Sequence, residues 1–227
     1  MLLAAEAIFN AVTRLEGEDD RRPRLRPILR AGVPSSSTSV VGFRTRKKVE
    51  ATQFSHVNHV TLDGKDGNEW ERSLARTCEK LCEVGLLTSY VKNDHLGFEI
   101  PYIHKGISHI YWPDFLLKLS TEACAEAIDP GIERFLIVEV SGTMKSPGPT
   151  KEKARTARDS WCVAVNNHGG FGRWGYRELG KNGVDNAETE LRAAIRSLAR
   201  DEAIIGDPEL LNPNFHAQVG VASITEN

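Results

Sequence analysis

Tyr111-Trp112-Pro113-Asp114-Phe115 and, further on, Phe135-Leu136-Ile137-Val138-Glu139-Val140-Ser141-Gly142 are the two stretches whose reading decides the fold. Each is a short run of β-branched and aromatic residues bounded by turn residues, the pattern of a strand in a covered sheet. Each carries one carboxylate. Burying an isolated carboxylate costs on the order of several kcal/mol unless it is paired, protonated or bound to a cation. Two acids on neighbouring strands would suit Mg²⁺, which takes one or two carboxylates and keeps several waters. In outline that is an arrangement for phosphodiester cleavage. Period-two geometry puts Ile137, Glu139 and Ser141 on one strand face. Pro113 cannot donate to a ladder, so it marks an edge or bulge beside Asp114, where an irregularity can re-aim a side chain.

Working outward, the expected architecture is α/β, a central mixed β-sheet flanked by helices. Strands are predicted over Val40 to Val49, Phe54 to Leu62, Leu86 to Lys92, Gly97 to Ile103 and Ile107 to Leu119. Phe135 to Val140, Cys162 to Val165 and Phe171 to Leu179 follow as further strands. A helix is predicted over roughly Glu69 to Val84, because Trp70, Leu74, Ala75, Cys78, Leu81, Cys82 and Val84 share one face at 100° per residue. Glu71 is the one charge within that face: it interacts with free amides of the first turn or reaches into a site beneath. Thr150 caps a second helix running to about Trp161, with Ala154, Ala157 and Trp161 as its apolar stripe and Lys153 at the margin. Leu191, Ala194, Ile195 and Leu198 mark a closing helix from Ala187 to about Ala203.

Three regions follow: 1–39, an amphipathic N-terminal helix and a basic linker; 40–205, the compact domain; 206–227, an irregular tail. Arg21, Arg22, Arg24, Arg26 and Arg30 cluster around Pro23 and Pro27, as phosphate contacts or as a solvated arm. Arg44, Arg46, Lys47 and Lys48 form a second basic cluster, equally explained by an edge strand. The chain has 227 residues and a formal charge of −2. That excludes a globally basic nucleic-acid coat, so a polyanion site must be a local patch. No apolar run approaches a membrane span, and Met1-Leu2-Leu3 lacks the flanks of a signal peptide, so a cytoplasmic location without membrane association is expected. Cys78, Cys82, Cys124 and Cys162 are too scattered for a disulfide framework, and Cys78 and Cys82, at helical i, i+4 spacing, read as small buried hydrophobes.

Taken in order, Ser55-His56-Val57-Asn58-His59-Val60, Trp70-Glu71, Tyr90-Val91-Lys92-Asn93, Gly97-Phe98-Glu99-Ile100-Pro101-Tyr102, Pro113-Asp114-Phe115, Glu139-Val140-Ser141-Gly142 and Ala164-Val165-Asn166-Asn167-His168-Gly169-Gly170-Phe171-Gly172-Arg173-Trp174 form a recognisable series. The series resembles the C-terminal endonuclease module of type III restriction enzyme Res subunits, within the PD-(D/E)xK nuclease superfamily, and covers roughly Val40 to Leu179. The resemblance implies a restriction-endonuclease-like core in which Asp114 and Glu139 hold Mg²⁺, with Mn²⁺ as a substitute. The superfamily's lysine would stand where this chain has Ser141. Lys153 from the following helix is the best-placed replacement, with Lys145 and Lys151 as alternatives. Glu71 would assist a second metal or its water shell, and Lys92 and Arg173 would contact DNA phosphates. Such modules work with a helicase motor and a modification methyltransferase. This chain has no G-x-x-x-x-G-K-[ST] loop, which implies a stand-alone relative or one domain of a larger translocase. Two other readings remain open: a catalytically silent DNA-binding module acting with a partner, and a structural protein in which Asp114 and Glu139 form buried ion pairs.

Overall fold

The structure, a computed structural model, describes residues 25–28, 36–62, 70–141, 147–180, 184 and 186–202. The expected N-terminal helix, most of the first basic cluster, Lys145 and the C-terminal tail lie outside the described residues. The chain is α/β, with a mixed sheet flanked by helices, as the sequence predicts.

The central four-stranded sheet has the order β3-β6-β7-β8. Its strands are β3 (Leu87–Lys92), β6 (Phe115–Leu119), β7 (Arg134–Val140) and β8 (Arg173–Leu179). β3, β6 and β7 run antiparallel, whereas β8 lies parallel to β7. Two hairpins stand apart from this sheet: β1 (Lys48–Ala51) with β2 (His59–Leu62), and β4 (Ile100–His104) with β5 (Ile107–Tyr111). The helices are α1 (Trp70–Glu83), α2 (Pro147–Arg155), α3 (Val163–His168) and α4 (Ala187–Ala199), with a π-helical stretch, Thr156–Cys162, joining α2 to α3.

One sheet face packs on α1 and α4. Leu74, Cys78 and Leu81 of α1 and Leu191, Ile195 and Leu198 of α4 meet Tyr90, Phe115, Leu117, Leu136 and Val138. The other face carries Leu116, Ile137, Trp174 and Tyr176, covered by Ala157, Trp161 and Cys162 of the π-helical stretch and by Ile100, Tyr102 and Tyr111 of the second hairpin. The candidate carboxylates belong to this second face. Cys78, Cys82, Cys124 and Cys162 are buried free thiols. Burial pushes the thiols of Cys82 and Cys162 up to about 12, which makes them inert hydrophobes.

Several elements depart from the sequence reading. Ile107 to Leu119 is not one strand: it breaks at Trp112 to Asp114, and its halves join different sheets. Pro113 is the cause, since it has no N–H for a continuous ladder. Cys162 to Val165 is helical, and Asn166 to His168 continue that helix instead of forming a turn. A short apolar run fits a buried helix as well as a strand, and here Cys162, Val165 and Asn166 are all buried against the sheet. Asn166 fastens the helix end: its Nδ2 donates to the Trp174 carbonyl at 2.9 Å and its Oδ1 accepts from the Trp174 N–H at 2.7 Å. Val84, assigned to the apolar face of α1, lies past the helix end and is exposed.

Gly172 makes the turn into β8. It has φ 77°, and a Cβ there would stand 2.6 Å from the Glu133 carbonyl oxygen. That same oxygen accepts the Arg173 N–H at 2.8 Å, so it is not free to retreat. Gly172→Ala is therefore expected to cost about 1–3 kcal/mol. Thermal melting checks this: a drop of roughly 5 °C is expected, and an unchanged midpoint would mean that the turn relaxes without cost.

Candidate active site

Asp114 ends the crossing from the second hairpin into the central sheet. Phe115 pairs with Val138, so one step back along β6 sets Asp114 opposite Glu139, on the face that carries Leu116 and Ile137. Residues directly opposite in an antiparallel pair have Cβ atoms about 4.5–5.5 Å apart. Two backbone contacts hold Asp114. Its Oδ2 accepts the Val140 N–H at 2.8 Å, and its carbonyl accepts the Asn93 N–H at 2.8 Å. The acid is thus tied to β7 on one side and to the end of β3 on the other.

Glu139 is only 8% exposed. The Tyr111 hydroxyl donates to its Oε2 at 2.9 Å, and Tyr176 packs against the same buried cluster as Tyr111. Burial, followed by the Glu139 charge, holds both phenols well above their ordinary range, so both stay protonated at any working pH. Tyr111 can therefore only donate to Glu139, which helps to offset the cost of burying that carboxylate.

Of the described candidate lysines, Lys153 lies over the Tyr111 ring. Its Nζ stands 5.5 Å from the centroid of the Tyr111 ring, the ring whose hydroxyl holds Glu139. Lys151 is exposed, and Lys145 lies outside the described residues. Ser141 follows Glu139 by two positions, and its N–H is bound to the Leu179 carbonyl at 3.0 Å.

The remaining expected residues are placed elsewhere. Lys92 is 6% exposed, and its ammonium lies 3.4 Å from the Glu71 carboxylate. Glu71 reaches from the first turn of α1 to Lys92 of β3. This pair belongs to the α1 side of the sheet, because Lys92 follows Tyr90 by two residues and Tyr90 packs in the α1 core. It is across the sheet from Glu139, although the adjacent Asn93 touches Asp114 through the backbone. Arg173 begins β8, opposite Arg134, whereas Glu139 is opposite Glu178. Five residues along a strand separate it from the carboxylate level, roughly 16 Å. It is 4% exposed, and its Nη1 donates to the Asn166 carbonyl at 3.2 Å. Burial lowers its pKa. The structure thus sets Asp114 opposite Glu139, with Lys153 over the Tyr111 ring, the Glu71–Lys92 pair on the α1 side and Arg173 at the other end of the sheet.

Sequence reasoning missed Tyr111 as the support of Glu139. Tyr111 stands in the stretch that carries Asp114, but no periodicity indicates that β5 folds back over β7. Among the described residues, no three or more His, Cys, Asp or Glu side chains converge as a metal-binding group. The donor set is a carboxylate pair, which fits a hard cation that keeps much of its own water. No described helix is long and apolar enough to cross a membrane.

These features define an α/β protein with a helix-flanked mixed sheet and a supported carboxylate pair at one end of it. In comparisons with known proteins, no family model matches the chain, and no curated protein or solved structure matches it.

Proposed function

We propose that this protein is a Mg²⁺-dependent DNA endonuclease with a PD-(D/E)xK-like core, similar to the nuclease modules of type III restriction Res subunits. The observation that carries this reading is the apposition of Asp114 and Glu139 across β6 and β7, with Lys153 beside the tyrosine that holds Glu139. Asp114 and Glu139 would hold the cation, Asp114 aimed by the Val140 amide and Glu139 by the Tyr111 hydroxyl. A bound Mg²⁺ would supply Lewis acidity and lower the pKa of attacking water. Lys153 would set its positive charge against the scissile phosphate, in the role left by the serine at position 141. The exposed Arg44, Arg46, Lys47 and Lys48 offer phosphate contacts outside the site. DNA is the proposed partner, with a motor and a methyltransferase supplying translocation and modification.

The test is conversion of supercoiled plasmid to nicked or linear form in Mg²⁺ or Mn²⁺. Lys153→Ala is expected to slow cleavage about 10²- to 10³-fold, the usual loss for one electrostatic group at a reacting centre, without lowering the melting temperature. An equal rate in this variant would remove Lys153 from the site. Ser141 in the lysine position favours a second reading, a silent DNA-binding module. Its signature is DNA affinity that falls steeply with salt, with neither cleavage nor any metal dependence.

A further inference from the structure

The second hairpin extends away from the body of the protein. β4 and β5 pair with each other and with no other strand among the described residues, forming a two-stranded antiparallel ribbon. Its foot is buried: Ile100, Tyr102 and Tyr111 pack in the core on the second sheet face. Beyond Tyr102 that cover ends. Ile103 and Ile107 are 67% and 62% exposed, and Lys105, Gly106, Ser108 and His109 are exposed with them. The rise from Tyr102 to Lys105 gives a projection of roughly 10 Å. His109 stacks on Tyr102 at 5.3 Å, which ties the projecting part to the buried foot.

The ribbon rises from the candidate active site. Tyr111 at its foot is the residue that donates to Glu139, and Trp112 and Pro113 lead directly from it to Asp114. Its tip is cationic. From Ile100 to Tyr111 the chain carries His104, Lys105 and His109 and no acid. Lys105 and Gly106 make the turn, with φ 51° and 77°. A tight turn of this kind keeps the ribbon narrow, and asparagine or glycine would hold its first position with less strain. A lysine there sets a charge at the very end of the ribbon. Exposed isoleucines flanking that charge, with no acid in the ribbon, suit an anionic partner that also offers apolar groups. The major groove of duplex DNA has this chemistry: it admits a two-stranded ribbon, is about 8.5 Å deep, and presents thymine methyls beside guanine acceptors.

We propose that the β4–β5 ribbon enters the major groove of the duplex that the protein cuts. The assignment rests on the nuclease reading and names the contact that seats its substrate. Lys105 would reach guanine O6 and N7 at the groove floor, and Ile103 and Ile107 would lie against thymine methyls. The phosphate backbone bordering the groove would then pass the foot of the ribbon, where Asp114 and Glu139 stand.

The test places a thiol on the ribbon. Ser108 is exposed, whereas Cys78, Cys82, Cys124 and Cys162 are buried, so Ser108→Cys gives the full chain an accessible thiol distinct from its own. Its alkylation by iodoacetamide is followed in Ca²⁺ alone, with a DNA duplex, and with an RNA duplex of the same sequence, whose deep, narrow major groove side chains cannot read. A melting curve confirms that the variant is folded. The DNA duplex is expected to slow alkylation in proportion to the fraction bound, and the RNA duplex to leave it unchanged. Lys105→Gln should weaken duplex DNA binding about 5- to 150-fold with an unchanged melting temperature. Unslowed alkylation with the DNA duplex bound, together with plasmid cleavage by the wild type, would overturn the ribbon assignment alone. So would equal slowing by both duplexes, an unchanged DNA affinity in Lys105→Gln, or slowing produced by raising the chain's own concentration without DNA, the mark of a second copy on this face. Binding of no duplex, with no plasmid cleavage, would overturn the nuclease reading and the ribbon assignment with it.

Discussion

Glu139→Gln is expected to lower metal-dependent DNA cleavage by roughly 10³-fold or more, since loss of one metal-binding carboxylate removes several kcal/mol of transition-state stabilisation. The amide retains an oxygen to accept the Tyr111 hydroxyl at the position where Oε2 now stands at 2.9 Å, so the fold is expected to survive. This makes Glu139 a cleaner probe than Asp114, whose carboxylate also holds the Val140 N–H. Asp114→Ala leaves that amide without its acceptor and costs about 1–3 kcal/mol of stability. A second readout does not depend on activity. An ion that binds only the folded state at a hundred times its dissociation constant adds about 2.7 kcal/mol of stability, which raises the melting temperature of a chain this size by roughly 5–10 °C. Mg²⁺ or Ca²⁺ should produce that rise in the wild type and not in Glu139→Gln. Cleavage and ion-induced stabilisation both intact in the variant would remove Glu139 from the metal site.

Arg134→Ala is expected to have the largest effect on stability. Arg134 is 1% exposed and lies at the end of β7 away from Glu139. Its Nε and Nη2 donate to Asp201 Oδ1 at 3.2 and 3.0 Å, and Nη2 also donates to Oδ2 at 2.9 Å. Nη1 donates to the carbonyls of Asp129 and Ile132 at 3.0 and 2.8 Å. The Asp201 side chain is 5% exposed, so truncating the arginine abandons a carboxylate in the interior. Removing one partner of such a pair costs about 3–5 kcal/mol, or roughly 10 °C of melting temperature. Arg134→Met combined with Asp201→Asn should recover most of that loss, because no charge is left buried and asparagine tolerates the φ of 60° at this position. A single variant that melts within about 2 °C of wild type would show that the pair is well hydrated. The double variant should cut DNA at the wild-type rate, as Arg134 and Glu139 sit at opposite ends of β7.

Much of the candidate site could be read from sequence because its residues interrupt simple patterns. A carboxylate within Phe135 to Val140 and another beside Pro113 are visible without coordinates, and the apolar stripe from Ala154 to Trp161 placed Lys153 near its margin. The supports were not visible. Tyr111 reaches Glu139 because a proline break turns the second hairpin over β7. The Asn166 clamp exists because α3 ends beside the start of β8. The resemblance offers Arg173 and Lys92 as contacts to DNA phosphates, and only the structure shows both cations to be buried.

The sequence by itself determined the α/β class, the helix over Trp70–Glu83 to within a residue or so, the strands Leu87–Lys92 and Arg134–Val140, and the face on which Glu139 lies. These follow from local periodicity, in which each residue's position is fixed by its neighbours at 3.6 or 2 residues per repeat. Tertiary structure alone decided that Ile107 to Leu119 divides between two sheets, that Val163–His168 is helical, and that Lys153 stands over Tyr111. It also decided that Glu71 meets Lys92. Those outcomes depend on contacts between residues distant in the chain, and a short apolar run or a lone charge carries no record of which surface will cover it.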